Sequence, residues 1–199
     1  MFSLMFDQAF STTRVMVIMR GLDPEESLRL ATVAWDAGVT MVEIPIQSPS
    51  AVAALRTVAE AAAARGLFVG AGTVITTDQV LVARDAGAAY TVSPGTDEAI
   101  IEASLAAGLP TLPGVATASD IQRCVRLGLR WLKAFPASVL TPAWFTAMRG
   151  PFPEVRFVAT GGVTVDSAPE YWAAGARAVA LGSALSDPST LDALGKLAA

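Results

Sequence analysis

The sequence predicts an α/β fold, a (β/α)8 TIM barrel with a short N-terminal helix, as one domain over residues 1–199. Three observations carry that prediction. Short β-branched runs alternate with alanine-rich helical stretches about every 20–26 residues, which implies a parallel sheet with right-handed crossovers. There are eight such units and no outlying segment, which favours a closed barrel over a doubly wound sheet. The 199 residues are enough for one sizeable core but short for a barrel, so the loops must be short.

The elements follow in order. Residues 1–10 read as a helix and 15–19 as the first strand. Asp23-Pro24-Glu25-Glu26 opens a helix, with Asp23 as N-cap, proline in the first turn and acids at the positive dipole end. Gly38 ends it. The second strand is 41–44 and its helix 49–65. The third strand is 67–71, and Thr76 caps a helix to Asp85. The fourth strand, 89–92, leads through Ser93-Pro94-Gly95 into a helix over 96–107. A short fifth strand, 111–113, precedes a helix over 117–127. The sixth, 131–135, stops at Pro136, and Thr141-Pro142 opens a helix that ends at Gly150. The seventh strand is 155–159 with a helix over 165–174, and the eighth is 178–181 with a last helix over 188–197.

Composition narrows the chemistry. The chain is 53% hydrophobic and 16% charged, which is globular rather than disordered. A net charge of −4 without a Lys/Arg stripe argues against a nucleic-acid surface. No uninterrupted apolar run is long enough to span a bilayer. No basic residue precedes Arg14, and the one cysteine, Cys124, has no internal partner, so a cytoplasmic location is expected. The chain has no histidine, the commonest general base and metal ligand. A zinc site of the usual kind is excluded, and neither metal nor cofactor is expected.

Lysine is almost as rare. Of 14 basic residues only Lys133 and Lys196 are lysines. Lys133 lies in the sixth strand between Trp131, Leu132, Ala134 and Phe135. An amine in an apolar site loses its proton more easily than arginine does, and a neutral amine forms a Schiff base with a ketone. The alternative is a strand-end lysine whose ammonium reaches water.

Barrel chemistry sits at the C-terminal strand ends. Glu43 is the one acid inside a predicted strand, between Val42 and Ile44. A buried carboxyl has a raised pKa useful for proton transfer, or it forms a structural ion pair with Arg20 one strand away. Arg20 suits a substrate carboxylate through its planar fork. Thr73 and the Ser93-Pro94-Gly95 turn add a hydroxyl and N–H donors. Thr160-Gly161-Gly162 and Gly182-Ser183 end the last two strands, where barrels often bind phosphate on backbone N–H groups. The competing reading of those glycines is two tight turns.

Val42-Glu43-Ile44-Pro45, Gly70-Ala71-Gly72-Thr73-Val74, Ser93-Pro94-Gly95, Leu132-Lys133-Ala134-Phe135-Pro136, Gly150-Pro151-Phe152-Pro153 and Thr160-Gly161-Gly162-Val163 stand in one order. That ordered set resembles the 2-keto-3-deoxy-6-phosphogluconate/phosphogalactonate aldolases, which include 4-hydroxy-2-oxoglutarate aldolase activity. The resemblance spans Arg14 to Leu185. It implies a class I aldolase, usually trimeric, with Lys133 as Schiff-base lysine and Glu43 as general acid/base. It implies that Arg20 and Thr73 contact the pyruvate end and that Gly161, Gly162 and Ser183 hold the phosphate. The implied partners are a small phosphorylated keto-acid and two further copies of the chain. Gln47 is similar to the phosphogalactonate branch and Thr160 to the phosphogluconate branch, so the C4 epimer stays open. Two alternatives are another phosphate-binding barrel, resembling thiamine phosphate synthase, and a non-catalytic phospho-sugar sensor.

Overall fold

The structure is a computed structural model that describes residues 3–182 and 193–197. Strands β1 (Val15–Ile18), β2 (Met41–Pro45), β3 (Phe68–Gly72), β4 (Tyr90–Val92), β5 (Thr111–Leu112), β6 (Gly114–Val115), β7 (Trp131–Ala134), β8 (Arg156–Thr160) and β9 (Ala178–Leu181) form one parallel sheet. Their order is β5-β4-β3-β2-β1-β9-β8-β7-β6. Helices α1 (Ser3–Thr12), α2 (Pro24–Asp36), α3 (Pro49–Ala64), α4 (Thr77–Asp85), α5 (Glu98–Ala106), α6 (Ala118–Arg126), α7 (Ala137–Arg149) and α8 (Ala168–Ala174) connect them. Residues 193–197 are also helical; the rest of the helix expected over 188–197 lies outside the described residues.

The closure of the barrel corrects one expectation. The fifth strand is not continuous over 111–113. It breaks at Pro113 into β5, which pairs with β4, and β6, which pairs with β7. Proline has no N–H to give a ladder, so pairing stops on one side and resumes on the other. The Pro113 carbonyl still accepts from the Lys133 N–H at 2.9 Å. The two ends of the sheet are thus joined through one residue, and the sheet becomes a barrel.

Helix starts follow their caps. Asp23 and Thr76 cap their helices as the sequence predicts: Asp23 accepts from the Glu26 N–H at 2.9 Å, and Thr76 shares a reciprocal capping box with Gln79. The helix expected from residue 96 begins at Glu98, because Asp97 takes the cap and accepts from the Ile100 N–H at 3.1 Å. The helix expected from 165 begins at Ala168. Thr164 and Ser167 hydrogen-bond each other's backbone N–H groups at 2.9 and 3.2 Å, which competes with a helical turn. A helix does open at Thr141-Pro142 as expected, but a helical turn from Ala137 precedes it, and the two together make α7. Thr141 separates the two with φ 63° and ψ 163°; the following proline disfavours the helical region at that position.

The barrel interior is filled from below. Alternate strand residues point inward, so Met16, Ile18, Met41, Tyr90, Val92, Leu112, Trp131, Val158, Ala178 and Ala180 form one buried cluster. Helix α1 plugs its N-terminal end with Phe6 and Phe10. Phe10 stacks on Trp131 at 4.8 Å and Phe6 meets Tyr90 edge-on at 5.6 Å. Each buried phenylalanine contributes roughly 1.5–3 kcal/mol, enough to hold a short helix. Asp7 fixes its rotation, accepting from Trp131 Nε1 at 2.7 Å and from Arg156. The second cluster packs the outer strand faces against the helices. It includes Cys124, whose thiol is pushed up to about 11 by burial.

Asp7→Ala leaves the Trp131 indole N–H unpaired. It is expected to cost about 1–2 kcal/mol and to lower Tm by about 3–6 °C in thermal unfolding. Most of that loss belongs to the indole bond, because the Arg156 pair is half-exposed and screened. An unchanged Tm would show that α1 is held by its aromatics alone.

Candidate active site

Strand parity puts Glu43, Gly70, Gly72, Lys133 and Thr160 on the inner face, above the aromatic floor. Among the described residues, Glu43 and Lys133 are the two buried charged side chains. They reach across the barrel from β2 and β7, and Lys133 Nζ stands 4.0 Å from Glu43 Oε1. Phe135 lies under the ammonium, its ring centroid 5.2 Å from Nζ. The ion pair weighed for Glu43 therefore forms with Lys133. Arg20 makes no ion pair with it among the described residues.

Neither Glu43 oxygen has a hydrogen-bond partner among the described residues. Burial pushes its pKa up; the charges of Lys133 and Arg20 pull the other way without cancelling it. A carboxyl with that balance holds a proton readily and sits within one proton relay of an amine.

Room for this carboxyl comes from β3. A Cβ at Gly72 would lie 1.9 Å from Glu43 Oε1, and a Cβ at Gly70 would lie 2.0 Å from the Tyr90 ring. Two glycines on one strand face thus let side chains from both neighbouring strands cross it. Neither this use of Gly70 and Gly72 nor the inward Tyr90 is among the residues the sequence singled out. The signal was present: glycines at alternate positions of a strand mark close approach by neighbours.

The remaining candidates fall on two arcs. On the β1–β3 arc, exposed Arg20 donates to Gln47 Oε1 and, at 3.5 Å, to Thr73 Oγ1. Thr73 holds a positive φ of 56°, a strained setting for a threonine. Pro94 is half-buried after β4. Its carbonyl packs against Gly114, where a Cβ would come within 2.1 Å. The neighbouring Ser93 hydroxyl is buried with no partner among the described residues. On the β7–β9 arc, Thr160 ends β8 on the inner face and its hydroxyl turns back to Val158 O at 3.4 Å. Gly161 and Gly162 follow with φ 93° and 73°, which other residues rarely adopt. Added Cβ atoms would meet the Phe135 ring at 2.9 Å and Ser138 at 2.6 Å. Gly182 follows β9, and Ser183 lies outside the described residues. Among the described residues no three His, Cys, Asp or Glu side chains group as metal ligands.

The raised pKa of Glu43 is also a statement about stability. The unfolded chain releases this proton near 4.5, while the folded chain holds it to higher pH. The folded state therefore loses stability as pH rises from 4.5 through the folded value. Glu43→Gln is expected to raise Tm at pH 7, with the gain over the parent fading as pH falls to 4.5. A Gln variant less stable at pH 7 would mean that the Lys133 charge outweighs burial.

The comparisons with known proteins agree with this geometry. A family model described as KDPG and KHG aldolase matches residues 6–196. The chain is 38% identical over 175 residues to a probable 2-dehydro-3-deoxy-6-phosphogalactonate aldolase of Rhizobium meliloti, covering 87% of this chain and 82% of that one. It is 32% identical over 165 residues to the 2-dehydro-3-deoxy-phosphogluconate aldolase of Treponema pallidum, covering 82% and 78%. A crystal structure of KDPG aldolase from Legionella pneumophila, with pyruvate captured as a covalent carbinolamine, superposes with a TM-score of 0.83 at 27% identity, covering 96% and 94%. The chain belongs to the KDPG and KHG aldolase family.

Proposed function

We propose that this protein is a class I aldolase cleaving 2-keto-3-deoxy-6-phosphogluconate, its galactonate epimer, or both, to pyruvate and glyceraldehyde 3-phosphate. The observation that carries the reading is the buried Lys133 Nζ, 4.0 Å from an unbonded Glu43 carboxyl at the C-terminal mouth of the barrel. An amine and an acid/base at this separation suit carbinolamine chemistry, and a carbinolamine of pyruvate is what the Legionella relative's structure holds.

The steps follow from the pair. Lys133 gives a proton to Glu43 and its free amine attacks the C2 ketone. One proton passes from the attacking nitrogen to the C2 oxygen and Glu43 adds its own, so that oxygen leaves as water and yields the iminium. Glu43, now a carboxylate, takes the proton of the C4 hydroxyl. The C3–C4 bond breaks and its electrons pass into the iminium, giving the enamine. Glyceraldehyde 3-phosphate departs. Glu43 protonates C3, and water releases pyruvate and restores the amine. No metal is needed, because the iminium is the electron sink.

The two arcs divide the substrate. Arg20 and Thr73 serve the pyruvate end, with Pro94 closing that side. Arg20 holds Gln47 by its amide oxygen, which leaves the Gln47 N–H groups for a substrate hydroxyl. Thr160 lies on the neighbouring strand, on the same inner face and two residues beyond Val158, the register partner of Lys133. Gly161, Gly162 and Gly182, with Ser183, serve the phosphate through backbone N–H groups. A homotrimer is part of the proposal, and exposed Phe68, Leu81 and Val82 supply apolar surface for it. A cytoplasmic location is the other part. No helix among the described residues is long and apolar enough to cross a membrane.

Incubation with pyruvate and borohydride is expected to leave a reduced pyruvyl adduct on Lys133, located by peptide mass spectrometry, and Lys133→Arg to lose both adduct and turnover. A folded protein that forms no adduct would end the Schiff-base reading. Gly72→Ala displaces the Glu43 carboxyl by the width of a methyl group. It is expected to lower kcat by about a hundredfold with pyruvate still captured on Lys133. Wild-type kcat in that variant would remove Glu43 from the proton relay.

A further inference from the structure

Tyr90 is fully buried, yet it does more than fill the floor. Its ring leaves β4, crosses the inner face of β3 in the space where Gly70 has no side chain, and ends at β2. There its hydroxyl donates to the Val42 carbonyl at 2.6 Å. That carbonyl and the Glu43 N–H belong to one rigid peptide plane. Among the described residues no other side chain hydrogen-bonds the β2 backbone. Among the described residues the Glu43 carboxyl has no hydrogen-bond partner, so its position is set by its backbone and by the walls around it. Gly70, the residue whose lost side chain admits the Tyr90 ring, is the register partner of Glu43.

From this geometry we infer that Tyr90 is a positioning residue for the proposed reaction: its hydroxyl clamps the Val42–Glu43 peptide and so aims the Glu43 carboxyl at the Lys133 amine. The phenol is suited to that role at any working pH. Burial, reinforced by the Glu43 charge, holds its pKa well above the ordinary tyrosine value, so it remains a donor. The ring gives the clamp its stiffness. It is gripped by Phe6 edge-on from α1 and by the bare face of Gly70, with no room to swing.

The inference rests on the reading of Glu43 as proton carrier, so its test separates the two. Proton transfer at C3 is read directly, without the aldehyde, as exchange of pyruvate methyl protons for deuterium, followed by NMR. Schiff-base capacity is read as the amount of borohydride adduct on Lys133 after long incubation. Tyr90→Phe deletes one atom and keeps the ring; Tyr90→Leu deletes ring and hydroxyl. Both are expected to slow exchange by about ten- to a hundredfold while the adduct reaches the parent amount. Two results overturn the inference: exchange at the parent rate in Tyr90→Phe, which makes the hydroxyl dispensable, and parallel loss of exchange and adduct, which makes Tyr90 a packing residue only. Glu43→Gln is measured alongside. If it abolishes exchange while Tyr90→Phe keeps the parent rate, the clamp alone fails. If Glu43→Gln also exchanges at the parent rate, both readings fall.

Discussion

Taking a carboxyl fully out of water without a hydrogen bond costs several kcal/mol, and one ammonium 4.0 Å away recovers only part of that. Glu43 and Lys133 are nonetheless the two charged side chains the barrel buries among its described residues. Much of the local architecture serves that pair. Gly72 gives up its side chain so that the carboxyl fits, and Pro113 gives its carbonyl to the Lys133 N–H at the seam where the barrel closes. The fold is therefore less stable at this point than an apolar core would be, and what it gains is a carboxyl whose proton is easily exchanged with a neighbouring amine.

The floor beneath the pair closes the barrel on its N-terminal side. An eight-stranded barrel of this size is filled by layers of side chains. Here aliphatic side chains and the rings of Tyr90 and Trp131 fill the lower layers, and α1 seals them with Phe6 and Phe10. Water that entered from below would solvate Glu43 and lower its pKa toward the ordinary value. The N-terminal helix is thus coupled to the chemistry through packing, although it lies at the opposite end of the barrel.

The strand pattern was legible because parallel strands buried on both faces read as short β-branched runs, and because turn residues separate them. Lys133 and Glu43 stood out for the same reason: a charge inside an apolar run is costly and has a use. What the sequence hid were effects that depend on partners far along the chain. Pro113 reads as the end of a strand, but its missing N–H matters only because β4 and β7 lie on either side of it. Thr141-Pro142 reads as a helix start, yet the preceding turn is already helical as it leaves Pro136. Tyr90 reads as an ordinary strand aromatic. Its role appears only when Gly70, twenty residues earlier, is seen to leave its ring a path to Val42.

The two arcs of the mouth carry different burdens, and their burial says which. Lys133, Glu43 and Thr160 sit on strands, buried and held by the sheet, and on the proposed reading a shift of an ångström there alters the rate. Arg20 and Gln47 sit just beyond strand ends, exposed, and hold each other. The gluconate and galactonate substrates share every bond that is made or broken and differ only in the direction of one hydroxyl at C4. In the proposed mechanism Glu43 takes the proton of that hydroxyl, so the buried pair fixes where the hydroxyl must point. On the proposed reading, side chains that can be re-aimed without disturbing the barrel hold the rest of the substrate against it, and Gln47, which accepts from Arg20 through its amide oxygen, is one of them. On that reading a loop substitution shifts the choice of epimer by changing how the C4 hydroxyl is presented to Glu43, while the Schiff-base lysine stays where it is.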